Sequence, residues 1–205
     1  RKPFQVGLYK GLWRRKEDGA TAGFFGINPR YRANDRLTIS GNLNWDKNTN
    51  GKGYVNRNDN TNQIFFGNRE VETITSELRL QYTFTNKMGL SLRSRNYWSR
   101  VEYNKFFDLQ DNGTLVEGSY TGLDEGGLPL HDKDFTVFNL DLIYSWQIAP
   151  GSFLNVTYKQ QTSNSDVIVR NDYFRNLSET LDIPGSNTVS VKLIYYLDYA
   201  TLFGT

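Results

Sequence analysis

The sequence predicts an all-β fold: a transmembrane antiparallel up-and-down β-barrel with about eight strands in this chain. Three observations predict it. Hydrophobicity alternates with a period of two, most clearly over Phe135–Lys159, where Thr136, Phe138, Leu140, Leu142, Tyr144, Trp146 and Ile148 take one parity and Val137, Asn139, Asp141, Ile143, Ser145 and Gln147 the other. After Ala149-Pro150-Gly151-Ser152, Leu154, Val156 and Tyr158 alternate with Asn155, Thr157 and Lys159. Such a period places successive side chains on opposite faces of a strand. Second, tight and long connections alternate along the chain, which sends the tight turns to one end of the sheet, as in outer-membrane barrels. Third, most charged residues inside the strands keep the parity opposite to the apolar rows.

The elements follow in order. The first strand is expected over about Phe4–Arg15, with Phe4, Val6, Leu8 and Leu12 on one parity, before the turn signal Glu17-Asp18-Gly19. The second covers about Thr21–Arg32 and turns through Ala33-Asn34-Asp35-Arg36. The third, about Leu37–Asp46, sets Leu37, Ile39, Leu43 and Trp45 against Thr38, Ser40, Asn42 and Asn44. Polar Lys47–Asn62 reads as a long loop. The fourth strand, about Ile64–Phe84, and the fifth, about Gly89–Leu109, are joined by the short turn Thr85–Met88. Asp111–Asp134 reads as a second long loop, and the Phe135–Lys159 hairpin supplies strands six and seven. Ser163–Ser186 is the third long connection; Phe174, Leu177 and Leu181 predict a short helix within Tyr173–Leu181. The eighth strand, about Asn187–Tyr199, completes the set. Only Glu17–Ala20 is a short connection on the long-loop side.

Composition bounds the function. Hydrophobic residues make up 38% of the chain, aromatics 15%, and no run of about 18 apolar residues exists. In a barrel strand only every second residue meets lipid, so this polarity fits a membrane protein. The net charge of +2 points away from nucleic acid, and the absence of cysteine excludes disulfides and thiolate metal sites. The chain starts at Arg1 rather than Met, so an exported protein is expected to have lost a leader or to be a fragment.

Alternation alone also suits a soluble sandwich or a lipocalin-like barrel, with the apolar row inward. Strand length favours the membrane: soluble strands run to about five or six residues, spanning strands to about nine to eleven. With the apolar row on lipid, Arg79, Arg93, Arg95, Asp141 and Lys159 face the lumen. Trp45, Tyr82, Phe84, Trp98, Tyr144, Trp146, Tyr158 and Tyr195 are the expected membrane-interface aromatics. Ser94 and Asn96 interrupt the apolar row and are expected above the bilayer or against another chain.

Several stretches resemble one family. They are Asn28-Pro29-Arg30-Tyr31-Arg32, Ile64-Phe65-Phe66-Gly67-Asn68-Arg69-Glu70-Val71, Asn86-Lys87-Met88-Gly89-Leu90-Ser91-Leu92-Arg93 and Asn96-Tyr97-Trp98-Ser99-Arg100-Val101-Glu102-Tyr103. Trp146-Gln147-Ile148-Ala149-Pro150-Gly151-Ser152 and Leu193-Ile194-Tyr195-Tyr196-Leu197-Asp198-Tyr199 complete the set. Together they resemble the C-terminal barrel of a Bacteroidota outer-membrane family of unknown function, in which a carbohydrate-binding family-9-like module precedes the barrel. The resemblance implies a single barrel domain over 1–205, the C-terminal part of a larger barrel whose upstream module and first strands are absent here. It also implies a cell outer membrane location. Thr205 is expected at or near the true C-terminus.

Other sites are thinly supported. Asp46-Lys47-Asn48-Thr49-Asn50-Gly51 matches the start of a calcium loop, making Asp46, Asn48 and Asn50 weak metal candidates, but the twelfth position is Arg57 instead of Glu. His131, the sole histidine, stands near Asp124, Glu125, Asp132 and Asp134, short of a zinc ligand set. No nucleophile motif accompanies it, and Glu70 with Glu72 has nearby arginines to pair with. No catalytic residue and no cofactor are expected. The expected partners are the lipid bilayer and lipopolysaccharide, with other outer-membrane subunits and glycans as further candidates. The function read from this is an outer-membrane barrel in envelope transport, secretion or assembly. Surface glycan binding or uptake, and a soluble β-barrel or sandwich binding protein, stand as alternatives.

Overall fold

A computed structural model describes residues 3–17 and 19–197. The elements are β1 (Phe4–Arg14), β2 (Thr21–Arg32), β3 (Leu37–Arg57), β4 (Ile64–Thr85), β5 (Met88–Leu109), β6 (Leu115–Glu117), β7 (Lys133–Ala149), β8 (Ser152–Asp166), α1 (Tyr173–Asp182) and β9 (Ser186–Ile194). All nine strands form one antiparallel sheet in the order β1-β2-β3-β4-β5-β7-β8-β9, with β6 pairing beside β5. The up-and-down order matches the sequence reading. The ninth strand is β6, three residues inside the stretch read as loop. Among the described residues β1 and β9 do not pair, so the sheet is open rather than a closed barrel. Asp18 of the first turn, Arg1, and the chain from Asp198 onward, with the expected end of the last strand, lie outside the described residues.

The tight turns form where their chemistry predicted. Asn34 Oδ1 accepts from the amides of Arg36 and Leu37 at 2.8 Å each, and Gly151 takes φ 76, which a side chain at this position would oppose. The stretch Lys47–Asn62 is a correction: β3 continues through it to Arg57, with register shifts between Asn48 and Gly51 and between Tyr54 and Asn56. Gly53 in this stretch and Gly67 opposite it on β4 mark close approaches across the ladder rather than turns. A Cβ on Gly53 would stand 2.9 Å from Arg69 Cζ, and one on Gly67 would collide with the Tyr103 ring. Likewise β8 runs on to Asp166, so the long connections are shorter than expected while still lying at one end.

Register sorts the faces. Leu37, Tyr82, Leu90, Tyr144, Val156 and Val191 form one cross-strand row; Ile39, Leu80, Leu92, Leu142, Tyr158 and Val189 form the next. On the opposite face, Ser40, Arg79, Arg93, Asp141, Lys159 and Thr188 form a row, adjoined by Asn42, Glu77, Arg95, Asn139 and Gln161. Among the described residues only α1 packs on the apolar face, at its long-loop end, and the rows toward the tight turns carry no second layer. Val191 is 65% exposed, and the only buried apolar side chains among the described residues are Ala20, Phe65, Trp98 and Phe106. A folded monomer of this mass typically exposes about 9,800 Å²; this chain exposes 14006 Å².

Helix α1 lies where the spacing predicted a helix, capped by Asp172, whose side chain accepts from Arg175 N at 2.9 Å. It packs on the apolar-row face, at the end away from the tight turns.

Candidate functional site

Three clusters concentrate polar chemistry. The first is the charged pair of rows. Glu77 accepts from Arg93 Nε at 2.9 Å and Nη2 at 2.5 Å, and pairs with Arg79 on its other side. Arg95 meets Asp141 at 3.0 Å. Alternation along each strand places these side chains on one face, and the antiparallel register Glu77–Arg95 and Arg93–Asp141 brings opposite charges into reach. All five expected lumen-facing residues thus stand on one face. Four cations meet two carboxylates there, so the patch is net positive. The Arg95 Nε is buried without a hydrogen-bond partner. Arg95, Tyr97, Val137, Asn139, Asn42 and Glu77 line a cleft of ≈ 290 Å³ beside it. This arrangement can bind an anion, and among the described residues it holds no nucleophile–base pair.

The second cluster sits on the same face at the long-loop end. Phe65 stacks on Tyr120 (4.4 Å between ring centroids), Phe106 meets Tyr120 edge-on at 5.2 Å, and Tyr103 stacks on Phe106 at 5.8 Å. The Tyr120 hydroxyl and His131 Nε2 share a hydrogen bond of 2.5 Å. Gly122, at φ 68, is pressed on the Phe106 ring, where any Cβ would collide. Burial lowers the His131 pKa, with Asp132 opposing in part, and burial raises that of Tyr120, so both rings are neutral at pH 7. Sequence reading placed His131 in the long loop Asp111–Asp134; the structure packs it among aromatics and folds the loop back over the charged face. The aromatic Tyr120 ahead of the Gly-Gly turn was the available signal.

The third cluster fastens α1. Asp134 is 3% exposed. Its Oδ1 accepts from Trp98 Nε1 at 2.8 Å and Asn176 Nδ2 at 3.2 Å, and its Oδ2 from Arg170 N at 2.7 Å. Thr136 Oγ1 donates to Asn176 at 2.8 Å, and the Tyr173 hydroxyl meets Ser76 at 2.6 Å and Asn96 at 3.3 Å. Asn96, which interrupts the apolar row in sequence, is thus covered by α1. Trp98 departs from the expected interface set: it is 3% exposed, beneath the helix.

Of the other expected interface aromatics, Tyr82, Phe84 and Tyr144 adjoin near the tight turns, with centroids 4.8 Å and 6.4 Å apart in sequence order. Trp146 stands beside them, one step along from Tyr144 on the same face. Trp45 donates to Glu72 at 2.7 Å toward the other end. Tyr158 lies in mid-row and donates to Asn187 at 2.7 Å, while Tyr195 follows β9 and is exposed. The weak metal candidates Asp46, Asn48 and Asn50 do not form a loop. Asp46 and Asn48 lie in β3 rather than in a loop, Asp46 accepts from Asn44, and Asn50 accepts from Asn68. Residues two apart on an extended strand stand about 6.6 Å apart and do not wrap one ion. The Glu70 and Glu72 carboxylates pair with Lys47 at 3.1 Å and Arg100 at 2.6 Å, which accounts for both without acid–base work.

A latch joining the long-loop end of β8 to α1 gives a pH expectation. Arg170 bridges Asp166 (3.2 Å) and Glu179 (2.5 Å), and Glu179 also meets Arg175 at 2.8 Å. The hydrogen bond from Arg175, then that from Arg170, lowers the Glu179 pKa; the Ile168 amide, with Arg170, lowers that of Asp166. Folded-state values below the unfolded ones mean the latch contributes fully above about pH 4.5 and is lost as pH falls through the folded values. Hydrogen-exchange protection factors over 166–182, which normalise for the slower intrinsic exchange at low pH, are expected to fall on acidification in that window while those of the strand ladders hold. Unchanged protection of 166–182 at pH 3 would remove the latch.

No curated protein matches this sequence. The model of a family described as a domain of unknown function, DUF5916, matches residues 1–203, and the chain belongs to that family.

Proposed function

We propose that this domain is part of an outer-membrane β-barrel serving envelope transport, secretion or assembly, with further strands between β9 and β1. The carrying observation is the uncovered apolar face, continuous in register across the sheet and backed by a charged face. In water such a face is a large unsatisfied apolar patch; lipid covers it at no cost, and the charged rows then line the interior. Both edges support a larger barrel. β1 and β9 expose Leu8, Leu12, Val189 and Leu193 on strands of 11 and 9 residues, edges that proteins otherwise shield. The aromatic loop then folds into the barrel mouth, and the net positive rows below it favour anionic solutes or segments. The surface glycan reading draws no sugar-specific chemistry from the described loops.

The test is the full-length protein purified from membranes. It is expected to need detergent and to migrate faster on gels before boiling than after. A monodisperse, detergent-free protein with no such shift would sink the proposal.

A further inference from the structure

Helix α1 is mounted inside out for a water-soluble protein. Asn176 and Thr180 are its buried side chains, and the Tyr173 hydroxyl reaches Ser76 and Asn96. Phe174 is 78% exposed and Leu181 43%. The helix crosses β4, β5, β7 and β8 along the row Ser76–Asn96–Phe138–Thr162. At about 100° per residue, Tyr173, Asn176 and Thr180 face the sheet, Arg175 and Glu179 take one flank, and Phe174, Leu177 and Leu181 take the other. The charged flank is oriented by Arg170, which joins Glu179 to Asp166 and whose amide bonds Asp134. Asp134 and Asp166 pair with each other on the long-loop side of the helix. The apolar flank therefore points the opposite way along the strands, toward the rows of Leu140, Leu142, Leu92 and Leu80.

Height supports the same placement. On the apolar face of β7, Phe138 to Trp146 spans about 27 Å along the strand, or roughly 20 Å of height at a tilt of ~40°. The apolar band of an outer-membrane barrel is about 25 Å tall, and a helix flank of about 5 Å radius supplies the difference.

We propose that α1 is an interfacial helix that rides on the outer wall of the barrel and marks the upper limit of its hydrocarbon band, with Phe174, Leu177 and Leu181 inserted among outer-leaflet acyl chains. The occupant is lipid because the flank continues the exposed apolar rows of the same face, and its charged side turns away from them toward water. This rests on the barrel reading. It also explains why the strands carry Ser76, Asn96, Thr136 and Thr162 at this height: they are seats for the helix, not polar gaps in the lipid face.

These 205 residues contain no cysteine, so single-cysteine variants made here in the full-length protein, with any cysteine outside this stretch first replaced by serine, carry a nitroxide label at one place. Phe174→Cys and Leu181→Cys probe the helix, Leu80→Cys the band, and Glu125→Cys the aqueous loop. In liposomes, the ratio of collisions with oxygen to collisions with a water-soluble nickel complex is expected to rise several-fold from position 125 to positions 174 and 181, and to be highest at 80. A lipid-like ratio at 80 with a water-like ratio at 174 and 181 overturns the interfacial helix and leaves the barrel standing. Labels at 174 and 181 shielded from both collision partners overturn it in favour of a protein partner on that flank. A water-like ratio at 80 overturns the barrel and the helix placement together.

Discussion

Replacing Asp134 with alanine is expected to detach α1 from the sheet. The carboxylate is buried and is the shared acceptor for the Trp98 indole, the Asn176 amide and the Arg170 backbone. Hydrogen bonds to a charged group are worth about 1.5–3 kcal/mol each, and the three donors here would be left without an acceptor. Because they share one network their losses do not add, and a total of about 3–5 kcal/mol is expected, on the scale of breaking a buried charged pair. That exceeds what a ten-residue helix is able to recover from propensity alone. Hydrogen exchange would show loss of protection across 170–183, with the amides of Leu80 and Leu142 unchanged. Asp134→Asn keeps acceptor capacity on one oxygen and is expected to fall between the two. Protection of α1 surviving in Asp134→Ala would show that Ser76, Thr136 and Thr162 hold the helix without the carboxylate.

The strands were legible because a two-residue period needs no knowledge of what lies beyond it. Leu37 to Trp45 and Phe138 to Trp146 alternate in sequence and keep one face in the ladder. The up-and-down order followed from Asn34, Asn86 and Pro150-Gly151, whose local chemistry makes tight turns. Helix α1 was legible for a reason that does not describe its packing. Phe174, Leu177 and Leu181 have helical spacing, and spacing identifies a helix without saying which side is buried. Here the buried side is Asn176 and Thr180, and that choice depends on Asp134 and Thr136, some forty positions away. Trp98 was misplaced for the same reason. Its parity is that of the apolar row, but its height coincides with the helix seat, and height across strands is a property of register. The polar half of β3 looked like loop because Asn, Lys and Gly dominate it. Gly53 and Gly67 in fact make room for the Arg69 and Tyr103 side chains, a need visible only once β3, β4 and β5 are aligned.

Among arginine substitutions along β7, the one at Leu142 is expected to cost the most. Leu142 sits midway between Phe138 and Trp146 on the apolar face, in the row Ile39–Leu80–Leu92–Leu142–Tyr158–Val189. On a lipid face the cost of arginine depends on depth: roughly 2–4 kcal/mol at the midplane, falling to about 0–1 near the interfaces, where the side chain reaches water by snorkelling. Urea unfolding from liposomes is therefore expected to give a peaked profile, highest for Leu142→Arg, smaller for Leu140→Arg and Tyr144→Arg, and close to zero for Trp146→Arg beside the tight turn. Ile143→Arg, on the opposite face between Ser91 and Thr157, is expected near zero as well, since that face already carries Arg93 and Lys159. The shape of the profile separates the two surroundings an apolar row can have. In a protein core the penalty tracks burial and shape, and replacing the large Trp146 would cost at least as much as replacing Leu142. In a bilayer it tracks distance from water. A flat profile, or one rising toward Trp146, would remove lipid from this face even with the strand alternation intact.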